Sequence, residues 1–230
     1  MNHSVTKKSW LLLTVLGLIW GSTFMIIELA LKGVTPFWLA AARISIAAVI
    51  TNIIWFFSKK QLFQTQSKDW PTLIFSGVFA TAAPFIALSW GQQYVTSAFA
   101  GISMASVALL VLPLSYLFVT SEKITTTTVI GIFCGFCGVF ILLGPEVFMA
   151  SNDAREKYGR LACLFATFCY ATSAVLTRRL PPIDPIGLAA VSLTSGAIFV
   201  IPAAWLIEGG PPICLLYTSP RPRDVEESRM

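Results

Sequence analysis

The chain is laid out as apolar runs about 20 residues long, joined by short polar stretches, and that spacing leaves it very few folds to choose from. Seven such runs cover approximately residues 9–31, 36–57, 70–92, 96–119, 125–145, 159–178 and 184–207. A helix rises about 1.5 Å per residue, so a run of this length crosses the roughly 30 Å hydrocarbon layer of a bilayer. Inside lipid every backbone N–H and C=O must be paired within the protein, so these runs are expected to be helices and the fold class all-α, a polytopic membrane helix bundle. The 56% of hydrophobic residues exceeds what a soluble domain of 230 residues carries. The lipid bilayer is therefore the first partner implied.

Basic residues set the orientation. With the N-terminus inside, the cytoplasmic segments carry Lys7, Lys8, Lys59, Lys60, Lys68, Lys123, Arg178 and Arg179, against Lys32, Arg155, Lys157 and Arg160 outside. The excess points to a cytoplasmic N-terminus in a multi-pass protein of the cytoplasmic (inner) membrane. The net charge of +5 is spread over these loops rather than gathered on one face, so nucleic acid is not an expected partner. The run after Lys7 and Lys8 is too long for a signal-peptide core and reads as the first span. Trp10, Trp38 and Trp70 stand near run ends as interfacial anchors.

Enzymatic and cofactor readings find little support. Cys134, Cys137, Cys163 and Cys169 lie inside apolar runs, where thiols pack as small residues, and the Cys134/Cys137 spacing has nothing nearby to supply a thiolate or a metal. His3 is the only histidine, and no phosphate-binding glycine loop occurs. No catalytic residue, cofactor or metal is expected. Gly131 and Gly135 form a small-xxx-small pair in the fifth run, suited to tight helix packing or to a homodimer.

The stretch from Trp20 to Arg43 places one acid and one base within apolar runs, and ionisable groups at membrane depth are functional candidates by default. Arg43 can be held by a partner such as Glu28, or can attract an anionic group of a solute. Trp20, Ser22, Thr23 and Phe24 offer hydroxyls and an aromatic wall to a small-molecule substrate. Trp90, Tyr94, Ser103 and, from the sixth run, Tyr170 and Ser173 complete the candidate substrate-binding set. Glu28, Pro84, Pro113 and Glu122 are candidates for coupling or gating, the prolines because each removes a backbone hydrogen bond and favours a kink. For each, a plain alternative exists: snorkelling for Glu28, helix capping for Glu122, local backbone bonding for Ser22 and Thr23.

Pro36-Phe-Trp-Leu39-Ala40-Ala41 is similar to Pro185-Ile-Gly-Leu188-Ala189-Ala190 at a separation of 149 residues, and Trp20–Thr23 lies against Tyr170–Ser173 at 150. The helix order thus repeats from the sixth run. Five helices is an odd number, so the second copy enters the membrane from the opposite side, an inverted five-plus-five repeat with about seven of ten helices present. Residues Ile213–Met230 switch to a polar tail that resembles the translation of a sequencing-library adapter, which puts the end of the native sequence near Pro212. The chain 1–230 alone is accordingly not expected to transport.

These motifs, Trp20-Gly21-Ser22-Thr23-Phe24, Pro36 to Arg43, Ala98 to Pro113, Glu122 and the glycine-rich run from Gly131 to Gly144, resemble in order and spacing the EamA-type permeases of the drug/metabolite transporter superfamily. The resemblance implies ten helices in two inverted halves, cytoplasmic termini, and export or exchange of small metabolites, amino acids or drugs in a bacterial inner membrane. It divides the chain into a first repeat at 1–145, the start of a second at 159–212, and the tail 213–230. A seven-helix receptor or sensor is the alternative, supported by the helix count alone; the last run has no lysine for a retinal Schiff base.

Overall fold

The computed structural model describes residues 7–58, 69–118, 125–143 and 154–211. Within them the chain forms helices α1 (Lys7–Ala30), α2 (Pro36–Ser58), α3 (Trp70–Ala80), α4 (Ala82–Gly91), α5 (Ser97–Phe118), α6 (Thr126–Leu143), α7 (Ala154–Arg178) and α8 (Pro185–Glu208). No strand occurs among the described residues, and the protein is a polytopic helix bundle. Among the described residues six spans are long and apolar enough to cross a membrane, with α3 and α4 together making one. The apolar part of α6, Thr126–Ile141, is shorter than the others, although the sequence placed a full span there. Glu122, Lys123 and the tail 213–230 lie outside the described residues.

The helix ends follow local chemistry. Pro36 and Pro185 open α2 and α8, where the missing N–H costs nothing and the ring fixes a helical φ. Asp184 caps α8 by accepting from the Gly187 N–H at 3.0 Å. Gly209, at φ +79°, ends it in a conformation that suits glycine. The helix α7 starts at Ala154, five residues before the apolar run, because Glu156 and Arg160 pair across one turn and stabilise a charged first turn that hydropathy does not register.

The third run is broken at Thr81 rather than at Pro84. A proline ring clashes with the carbonyl four residues upstream, so the break falls in the turn before Pro84. The Phe85 N–H bonds the Thr81 carbonyl at 3.0 Å, and the Thr81 hydroxyl returns to the Gly77 carbonyl at 2.8 Å. Pro113, by contrast, lies within an uninterrupted α5.

Small residues decide what packs on what. Ala40, Ala41, Ile44 and Ala48 of α2 meet Ala197, Val200 and Ala204 of α8 in one buried cluster, and the two helices run antiparallel along each other. Gly77 and Gly196 let α3 and the Thr81 break press onto α8: a Cβ on Gly77 would stand 2.8 Å from the Ser192 Cα. The crossing of α4 and α7 is equally tight, with a Cβ on Gly91 placed 2.9 Å from the Gly159 carbonyl oxygen. Helix α7 therefore lies against α3, α4 and α5, while α1 rests mainly on α5. Gly135 is used inside the chain, against Leu109 of α5, whereas Gly131 has open space before it. Leu18, Ile46, Phe56, Phe133 and Leu206 point outward, as side chains that meet lipid tails do.

Candidate functional site

Among the described residues, six helices, α1 to α5 and α7, converge on a cavity of about 290 Å³. From α1 come Ile19, Trp20, Thr23, Phe24 and Ile27, which share a face at spacings of three and four. From α2 comes Arg43, from the broken span Ala80, Phe85 and Leu88, from α5 Met104 and from α7 Tyr170. Trp20, Phe24 and Met104 also line a wider apolar groove of about 630 Å³ between α1 and α5, so the two spaces share a wall.

Among the described residues, Arg43 is the one formally charged residue in the lining. Its guanidinium carbon lies 4.6 Å above the Phe85 ring, a cation–π geometry. Its Nη1 is buried with no hydrogen-bond partner among the described residues. Burying such a donor costs free energy unless something accepts from it, and an anionic or carbonyl oxygen is the kind of group that could. Tyr170 stands between two other rings, 6.4 Å from Trp20 and 6.3 Å from Phe85 between centroids.

The structure brings together Trp20, Thr23, Phe24, Arg43 and Tyr170 from the expected set. Others serve elsewhere. Ser22 donates to the Ile19 carbonyl at 3.0 Å, an acceptor that it shares with Thr23 of the cavity wall at 2.8 Å. Ser103 donates to the Phe99 carbonyl at 2.8 Å, and its own carbonyl accepts from the Thr167 hydroxyl at 3.2 Å, tying α5 to α7. Ser173 meets the Ser76 hydroxyl at 3.2 Å, joining α7 to α3 away from the cavity. Trp90 and Tyr94 pack on each other at 5.1 Å at the end of α4.

Glu28 does not pair with Arg43. It sits two residues from the end of α1, whereas Arg43 lies seven residues, about 10 Å, into α2, so the two groups stand at different depths. The Glu28 carboxylate instead accepts from the Ser97 N–H at 3.3 Å at the start of α5. Nearby, the Gln92 amide donates to the Phe24 carbonyl at 2.9 Å, and these two bonds fasten the C-terminal part of α1.

Glu208, which the sequence did not single out, fastens α2. Its carboxylate accepts from the Thr35 hydroxyl at 2.5 Å and from the Phe37 and Trp38 N–H groups at 3.1 and 3.2 Å. This satisfies orphan donors of the first turn of the helix that carries Arg43. The Trp38 indole adds a bond to the Gly209 carbonyl at 3.1 Å and an edge-to-face contact with Trp205, beyond a plain interfacial role. Phe85 was also missed; its one signal is its place directly after Pro84, in the first turn of the helix that follows the Thr81 break.

Among known proteins, residues 7–144 match the model of the EamA-like transporter family. An "Uncharacterized transporter" of Archaeoglobus fulgidus is 26% identical over 196 residues, covering 85% of this chain and 67% of the relative. The "Uncharacterized transporter YoaV" of Bacillus subtilis is 25% identical over 195 residues, covering 84% and 65%. The chain thus spans about two thirds of the length of these relatives. One solved crystal structure superposes with a TM-score of 0.57 at 19% identity, over 82% of this chain and 66% of the other, a likeness of fold.

Proposed function

The chain belongs to the EamA-like transporter family, and on that premise we propose that it is part of a secondary transporter whose solute-binding point is the Arg43 cavity. The observation that carries this reading is the guanidinium of Arg43, with a buried Nη1 that has no partner among the described residues, in the lining of a space walled by Trp20, Phe24 and Phe85. Ligand sites are apolar concavities with a few convergent polar groups, and this cavity has that make-up. The candidate solute classes are small metabolites, amino acids and drugs, moved outward or exchanged across the inner membrane by alternating access. The N-terminus lies in the cytoplasm, as the lysines and arginines favour.

The inverted repeat receives support from the helix pair α2 and α8. A groove of about 610 Å³ between them is lined by Ser45, Ala48, Val49, Asn52 and Ile53 and, each 149 residues later, by Thr194, Ala197, Ile198, Ile201 and Pro202. Trp20 and Tyr170, 150 residues apart, likewise face each other across the cavity. In this reading 1–145 is one repeat, 159–212 begins the second, and the halves of the whole protein rock about the space between them. Ser22, Ser103, Ser173, Trp90 and Tyr94 then act as scaffold rather than as solute contacts.

The experiment is a metabolite panel screened for thermal stabilisation of the detergent-solubilised chain. Solutes that raise the midpoint are expected to lose that effect in Arg43→Gln. Stabilisation that survives the substitution puts the solute site elsewhere.

A further inference from the structure

We propose that the Arg43 cavity selects small apolar monocarboxylates and discriminates against zwitterions and cations of the same shape, an inference that rests on the cavity being the solute site. The charge balance of the lining carries the argument. Arg43 supplies one guanidinium with a buried nitrogen that has no partner among the described residues. Around it stand Trp20, Phe24, Phe85, Leu88 and Met104, a wall suited to a hydrocarbon or aryl group.

The Thr23 hydroxyl is already donated to the Ile19 carbonyl at 2.8 Å. The acids among the described residues all stand at helix ends. Glu28 receives Ser97 N–H, Glu208 receives the first turn of α2, Asp184 caps α8, Glu156 pairs with Arg160, and Asp69 precedes α3.

A carboxylate of the solute therefore gains a charge-assisted bond to Arg43. An α-ammonium on the same skeleton would sit about 5–6 Å from the guanidinium, in a space of low dielectric with no carboxylate to receive it. Cation–π compensation is limited, because the Phe85 face is taken up by Arg43 and the Trp20 and Phe85 rings both stand against Tyr170. A second negative charge on the solute would likewise find no second cation among the described residues of the lining. The volume, at the lower end of ligand sites, admits a solute of one ring or one branched chain.

The test uses three isosteric probes on the purified chain in detergent: 3-phenylpropanoate, phenylalanine and 2-phenylethylamine, with tryptophan emission as the readout, since Trp20 lines the cavity. The expected result is binding of 3-phenylpropanoate, at least about tenfold weaker binding of phenylalanine, and none of the amine. Binding of 3-phenylpropanoate is lost in Arg43→Gln and weakened but kept in Arg43→Lys, with helical circular dichroism unchanged in both. Equal affinity for phenylalanine that still requires Arg43 overturns the selectivity and leaves the site reading standing. Binding that ignores Arg43→Gln, or no binding of any probe, overturns both.

Discussion

Replacing Glu208 by alanine tests how the Arg43-bearing helix is held. The substitution removes three acceptor contacts at once, to the Thr35 hydroxyl and to the Phe37 and Trp38 N–H groups. Loss of a helix cap costs about 1–2 kcal/mol. The bond to the exposed Thr35 hydroxyl adds about 0.5–1 kcal/mol. The Trp38 bond to Gly209 and its contact with Trp205 persist, so the expected loss is about 1.5–3 kcal/mol rather than detachment of the helix. Glu208→Gln keeps an acceptor oxygen and should lose about half as much. Reversible unfolding in mixed micelles with a rising fraction of denaturing detergent measures both. A double-mutant cycle with Thr35→Ala should return a coupling of about 0.5–1 kcal/mol. Glu208→Ala within about 0.5 kcal/mol of the parent would refute the clamp.

Gly77→Ala forces a methyl group against the Ser192 backbone and should cost about 1–3 kcal/mol in the same assay. Gly17→Ala, with open space around it, should be neutral or gain up to about 1 kcal/mol from helix propensity. Phe85→Leu removes the ring beneath the Arg43 guanidinium and should lower stability by about 1 kcal/mol while weakening anion binding. Thr23→Cys, in a background lacking the native cysteines, should react with a small thiol reagent more slowly once a solute that requires Arg43 is bound. An unchanged labelling rate would contradict the placement of Thr23 on the solute path.

Much of the fold was legible because lipid imposes one rule on every span: apolar length sets the helix. Where a second force entered, the reading slipped. Charged residues extend α7 beyond its apolar part through the Glu156–Arg160 pair, and Pro84 moves its break upstream to Thr81. The site was half legible. Arg43 stood out as a lone cation at membrane depth, and Trp20 and Tyr170 as repeat equivalents, which meet across the cavity. Ser103 and Ser173 read as polar candidates, but the Ser103 hydroxyl is spent on the Phe99 carbonyl of its own helix and the Ser173 hydroxyl on Ser76 of α3, which depends on helix rotation that composition does not encode. Phe85 and Glu208 were hidden for the opposite reason. An aromatic in an apolar run and an acid at a helix end are each unremarkable until packing assigns them partners.

The most direct measurement is the anomalous scattering position of bromine in crystals of the protein soaked with 3-(4-bromophenyl)propanoate. The account predicts one dominant peak among Trp20, Phe24 and Phe85, with the carboxylate turned to Arg43. A dominant peak in the α1–α5 groove or the α2–α8 groove, with nothing beside Arg43, would contradict it.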